Sequence, residues 1–280
     1  MKYISLFVLS LFLLSGVFFS CKKKDANEPN GIGYDSISVS RIYHLENDTA
    51  KPSCSIQVNY IHPATYADAE VLAKLHRELN YALLEDESYE SLPADSAVNK
   101  FIADFIENYK KDAQLRFSDM SDFYDLEDYY SFYKSLNTKI LYDKGGLLSY
   151  QISSRDSKRE SDTITTYRNV VINIETGNTL TETDIFVPEY RSPLSHLITL
   201  KLMEQNKVQK AEALEEMGYF GIMDITTNNN FYVDSDGITY IFNPGECSAV
   251  ILGEIRIPFS YDELFDILKP RSPISHLSGK

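Results

Sequence analysis

The chain has 280 residues, 43% of them hydrophobic and 24% charged, with 12 glycines and 10 prolines. That apolar content excludes disorder over most of the length, and the glycine and proline counts exclude collagen-like and low-complexity classes. With 27 basic and 41 acidic residues the net charge is −14, a surface that repels phosphate backbones and argues against nucleic-acid binding.

Lys2, an apolar run from Ile4 to Phe19 and then Ser20-Cys21 have the layout of an export signal. Phe18-Phe19-Ser20-Cys21 resembles the lipobox of bacterial lipoproteins, in which the cysteine thiol takes a diacylglyceryl group and becomes the new N-terminus. The resemblance implies a signal peptide over 1–20, lipidation at Cys21 and a body in the cell envelope. Such a body is anchored to the inner or outer membrane and faces the periplasm or the cell surface. The alternative is an uncleaved anchor helix that ends in an incidental cysteine. Residues 21–35, with Lys22, Lys23, Lys24, Pro29 and two glycines, read as a flexible tether.

Beyond the tether, alternation predicts strands over Ser36–Leu45 and Cys54–Ile61, the second broken by His62-Pro63. Thr65 is positioned to cap a helix with an apolar stripe at Leu72, Leu75, Leu79 and Leu83. A second helix carries Val98, Phe101, Ile102, Phe105, Ile106 and Tyr109 at helical spacing. Three strands follow at about 135–143, 147–155 and 164–174. Ser192-Pro193 predicts a helix start with serine as cap. Phe231–Val233 and Ile238–Phe242 form a hairpin turned at Asp236-Gly237, Glu254–Phe259 is a last strand, and Ser260 and Glu263 make a capping box. RSPLSHL at 191–197 returns as RSPISHL at 271–277, where only the first copy has room for a helix. The order predicts an α+β fold, mostly antiparallel sheet with packed helices. A helical N-terminal unit (36–134) is expected to precede a strand-rich C-terminal unit (135–268) and a tail (269–280).

HExxH and GxSxG are absent, and the five histidines are scattered. The acidic stretch Asp119, Asp122, Asp125, Glu127, Asp128 lacks the spacing and turn glycine of an EF-hand and reads as a solvated charge run. Tyr124, Tyr129, Tyr130, Phe132 and Tyr133 are either core residues or a protein-recognition patch. Once Cys21 is lipidated, Cys54 and Cys247 remain, as a disulfide or as two buried thiols. No metal or cofactor is expected.

The stretches VVINIETGNTLTETDIF (170–186), FYVDSDGITYIFNPGE (231–246) and IRIPFSYDEL (255–264) carry a resemblance. They are similar to the domain of unknown function at the C-terminus of RsiV, a lysozyme-binding anti-sigma factor, which also accompanies PdaC-type peptidoglycan deacetylases. Thr176-Gly177, Leu180, Asp184 and Phe186 match its turn and helix entry, Phe231, Tyr232, Asp236, Gly237, Phe242, Asn243 and Pro244 its hairpin, and Ile257, Pro258, Phe259, Ser260 and Leu264 its closing strand. The chain departs from the family at Gly245–Val250. The resemblance implies a partner such as a lysozyme-like protein or peptidoglycan, while the anti-sigma role and deacetylase chemistry are not carried over. The expected function is thus a membrane-anchored binding lipoprotein that captures an envelope macromolecule and is not an enzyme. The alternative is an accessory or enzyme of cell-wall glycan modification. The contact candidates are Tyr219, Phe220, Asn243 and Glu246.

Overall fold

The computed structural model describes residues 25–117, 130–157, 163–222 and 225–279. Residues 1–20, expected to be a signal peptide, Cys21 and the acidic run 119–128 with Tyr124 and Tyr129 lie outside these residues.

β1 (Gly33–His44) and β2 (Ser53–Thr65) form an antiparallel pair. In β2, Cys54, Ile56, Val58 and Tyr60 are buried, and the half-buried Ser55, Gln57 and Asn59 alternate with them, as a strand with one covered face requires. The strand runs through His62-Pro63 rather than breaking there. Ile61 N–H points to the β3 side and donates to Thr138 Oγ1, while β3 pairs β2 only as far as Asn59. Pro63, two residues on, aims its missing donor beyond the ladder, where it costs nothing.

A crossover through α1 (Ala69–Leu84), α2 (Glu87–Glu90) and α3 (Ala94–Phe117) leads to β3 (Phe132–Lys144), which pairs with β2 in parallel. Asp68, not Thr65, caps α1, accepting from Glu70 N and Val71 N. β4 (Leu147–Ser157), β5 (Ile164–Asn173) and β6 (Asn178–Leu180) complete a six-stranded sheet in the order β1 to β6. This sheet passes without interruption through residue 134, so the N-terminal and C-terminal regions share one framework.

Val71, Leu75 and Leu79 of α1 and Val98 and Ile102 of α3 cover one face of the sheet, against Val58, Tyr60, Leu148, Tyr150 and Ile172. The opposite face contributes Leu147 and Val171 to a second core with the C-terminal elements. These are α4 (Glu182–Ile185), α5 (Arg191–Asn206), α6 (Glu212–Glu216), a three-stranded sheet of β7 (Phe231–Val233), β8 (Gly237–Phe242) and β9 (Ile255–Ser260), and the short helices α7 (Tyr261–Leu264) and α8 (Ser275–Ser278). The arrangement is helices, sheet, then sheet with helices.

Local geometry refines several expectations. α5 begins at Arg191, and Ser192 sits inside it without capping. The β7–β8 loop is Ser235-Asp236, closed by Asp234 N–H donating to the Gly237 carbonyl, while Asp234 Oδ1 accepts from Asp236 N and Gly237 N. Gly237 is needed for another reason: a Cβ there would lie 1.8 Å from the carbonyl oxygen of Phe259 in β9. The capping box of Ser260 and Glu263 forms as read. Of the second heptapeptide only Ser275 onward is helical.

The tether is shorter than residues 21–35. Tyr142 Oη donates to the Ala26 carbonyl at 2.9 Å, Gly145 N to the Glu28 carbonyl at 2.8 Å, and Gly146 N to Asn30 Oδ1 at 2.6 Å. Asn30 Nδ2 in turn donates to Asp143 Oδ1 and the Leu147 carbonyl. From Ala26 onward the chain is therefore clamped to the β3–β4 turn.

Candidate functional site

β6 pairs only with Val171–Asn173 of β5, which leaves the earlier half of that edge without a strand. Side-chain amides take its place. Tyr167 N–H donates to Asn243 Oδ1 at 2.6 Å, and Asn243 Nδ2 donates back to the Tyr167 carbonyl at 3.1 Å. This is the two-bond exchange a neighbouring strand would supply. Asn230 adds a second set: Oδ1 accepts from Asn169 N and Nδ2, and Nδ2 donates to the Tyr167 and Ile241 carbonyls. Asn228 donates to the Ile241 carbonyl and accepts from Asn230 N. Glu246 closes the seam, one carboxylate oxygen accepting from Asn228 Nδ2 at 2.9 Å and the other from Asn243 Nδ2 at 3.2 Å.

Beside this seam lies a cleft of about 350 Å³ between the end of α1, the starts of β3 and β5, and the asparagine loop. Its charged lining is Glu85, Lys134, Asp156, Arg168 and Glu246. Arg168 donates to the Ala82 carbonyl at 2.8 Å and pairs with Glu85, whereas Lys134 pairs with Asp156 at 2.8 Å. Burial pulls the Arg168 guanidinium below the usual arginine range, though it stays charged at neutral pH. Four of these charges are thus paired with one another, and Glu246 is held by the amides of Asn228 and Asn243.

On the other side of Glu246 the surface is apolar. The loop after α6 zips to the loop after β8: Phe220 N donates to the Cys247 carbonyl, Ala249 N to the Gly218 carbonyl, and Tyr219 bridges Ser248. The zipped loops hold Met217, Phe220, Val250, Ile251 and Leu252 in solvent, with Ile251 92% and Phe220 46% exposed. A second hollow of about 340 Å³, lined by Phe220, Ile225, Phe242, Glu246 and Cys247, separates this ridge from the cleft. Exposed Glu212, Glu215 and Glu216 precede the ridge in the chain and Glu254 follows it.

The contact candidates therefore divide. Asn243 and Glu246 stand together on the cleft, and Phe220 faces Glu246 across the hollow. Tyr219 turns inward, packing on the C-terminal core with its hydroxyl 3.1 Å from Asn206 Nδ2. Cys54 and Cys247 are both free and buried in different cores, with no bond between them. Burial pushes the Cys54 thiol up to about 11 and the Cys247 thiol up to about 12. Tyr130 is buried, and Phe132 stacks edge-on against Tyr109, so both serve the interior. Among the described residues no three His, Cys, Asp or Glu side chains stand together as metal ligands. The triplet Asn228-Asn229-Asn230 and the apolar run Val250-Ile251-Leu252 were not among the contact candidates; three adjacent asparagines and an apolar run outside any strand or helix stripe are the signals that mark them.

Residues 183–262 match DUF3298, a family described as a protein of unknown function. A member of the DUF3298 family from Bacteroides fragilis, known from a crystal structure, aligns with 91% of this chain and 100% of its own, at 26% identity and a TM-score of 0.84. The chain has the α+β fold of that DUF3298 structure. A DUF3298 family protein from Pseudomonas aeruginosa PAO1 covers 91% of this chain and 98% of its own at 12% identity and a TM-score of 0.59, a likeness of fold alone. No curated protein matches the sequence. The DUF3298 segment holds the asparagine loop, Asn243, Glu246 and the whole apolar ridge, whereas Arg168 and Glu85 on the far wall of the cleft lie before it.

Proposed function

We propose that this chain is an envelope-tethered binding protein that captures a cationic protein of the lysozyme type on the ridge formed by residues 217–220 and 250–252. The observation that carries the reading is Ile251, 92% exposed at the crest of five exposed apolar side chains. Contiguous apolar groups rimmed by charge mark protein-docking sites, and a few such anchors dominate binding energy. Glu212, Glu215, Glu216 and Glu246 are acidic neighbours that suit a basic partner, and the net charge of −14 speeds its approach. The resemblance to the lysozyme-binding RsiV supports the same partner class, and the lipobox at Cys21 supplies the anchor.

The cleft favours a second reading, in which its amides and carboxylates hold a peptidoglycan glycan strand. Calorimetry of the full chain against a lysozyme-like muramidase at low salt separates the two when paired with co-sedimentation on purified peptidoglycan. Capture on the ridge predicts measurable heat that Ile251→Asp weakens at least about tenfold. An undetectable interaction with the muramidase at low salt removes the first reading, and sedimentation with peptidoglycan alone installs the second.

A further inference from the structure

The clamped arm is held against one end of the molecule. Ala26, Glu28 and Asn30 are bonded to Tyr142, Gly145, Gly146 and Leu147, and Pro29 bridges Lys144. The C-terminal residues converge on the same turn. A Cβ on Gly145 would lie 2.8 Å from His276 Nε2 and 3.1 Å from the Ala26 carbonyl. Cys21 lies five Cα-to-Cα steps before Ala26, which even fully extended span at most about 18 Å. Lys134, on the cleft wall, is ten residues of β3 away from Lys144, a distance of about 33 Å along the strand. The second sheet points the same way. Val233 pairs with Ser149 near the turn, while Asn243 reaches Tyr167, so β8 runs from the arm end toward the cleft end.

We infer that the arm, the β3–β4 turn and the converging C-terminal residues form the bilayer-facing end of the protein, and that the cleft and ridge open away from the membrane. The inference rests on the proposed acylation of Cys21. An inverted body would lift the turn about 33 Å off the lipid, which is farther than the tether reaches. The lipid surface is thus the partner of the arm end, and the opposite end stays free for a soluble ligand.

The test couples the chain from Cys21 onward to a maleimide lipid in phosphatidylcholine vesicles through the Cys21 thiol, since Cys54 and Cys247 are buried. A fluorescent amino acid replaces either Lys144 or Ile251, and energy transfer to an acceptor dye on the lipid headgroups is measured. Transfer from position 144 is expected to exceed that from position 251 several-fold. Inserting a long Gly/Ser segment between Lys24 and Asp25 is expected to shrink the difference. Equal transfer from the two positions, or stronger transfer from position 251, overturns the orientation alone. A Cys21 peptide lacking acyl mass in envelope fractions overturns the orientation in the cell and the tether reading together.

Discussion

Asn243 makes two bonds to the backbone of one residue, Tyr167, in a way no apolar residue can imitate. Replacing it with alanine leaves the Tyr167 N–H, partly buried in the seam, without its partner, while the Tyr167 carbonyl keeps only the bond from Asn230 Nδ2. Asn243→Ala is expected to cost about 1–3 kcal/mol in denaturant or thermal unfolding. Asn243→Asp keeps the acceptor but sets a second oxygen against the Tyr167 carbonyl and Glu246, so it is expected to cost at least as much. By contrast Ile251→Ser is expected to stay within about 0.5 kcal/mol of the parent, because the side chain stands in water. The two thiols make a pH prediction. Their folded pKa values of about 11 and about 12 lie above the ordinary 9.0, so the folded state favours the protonated form. That stability is present below the unfolded value and is lost as pH rises from about 9 toward the folded values. Buried Tyr60 and Tyr109 are shifted upward by burial as well and add to the same trend. The melting temperature is expected to fall across that alkaline range, and thiol reagents at neutral pH are expected to label Cys54 and Cys247 only after denaturation. The sequence shows Asn243-Pro244 as strand punctuation, but the bonding partner, Tyr167, is 76 positions away and leaves no local signal.

Among the elements, strands were legible wherever one face is covered and the other open. β2 alternates strictly, and the helical stripe of α3 puts Val98 and Ile102 in the core. Pro63 was misleading because a proline reads as a strand end unless its missing donor points past the neighbouring strand, and only the β2–β3 register shows that it does. The β7–β8 turn was misplaced by one residue for a similar reason. Asp-Gly has turn chemistry, yet Gly237 is demanded by the approach of Phe259 rather than by the loop. Gly237→Ala is therefore expected to destabilise by at least about 1–3 kcal/mol, since the new methyl meets backbone that cannot move aside without shifting β9. Thermal unfolding checks this. A variant as stable as the parent would show that β8 and β9 pack less closely than described. Reading residues 21–35 as a tether failed because Asn30 is a polar residue among polar residues, and its three bonds are to a turn more than a hundred residues away.

For the whole molecule, composition foretold an acidic protein and the order of elements an α+β fold, but neither located the cleft and the exposed ridge. The six-stranded sheet joins regions that the order of elements separates, because a parallel pairing through three helices leaves no mark in either strand. The asparagine seam then fastens the second sheet to the first and sets cleft and ridge on either side of Glu246. An acidic body that captures a basic protein binds more weakly as salt screens the charges, and the association rate is expected to fall more than the dissociation rate rises. The most direct measurement is amide hydrogen exchange of the full chain with and without a lysozyme-like muramidase. The ridge reading predicts added protection confined to residues 217–221 and 247–252, with none at the arm or the β3–β4 turn. Protection at the arm end, or an exchange pattern the muramidase leaves unchanged, would contradict it.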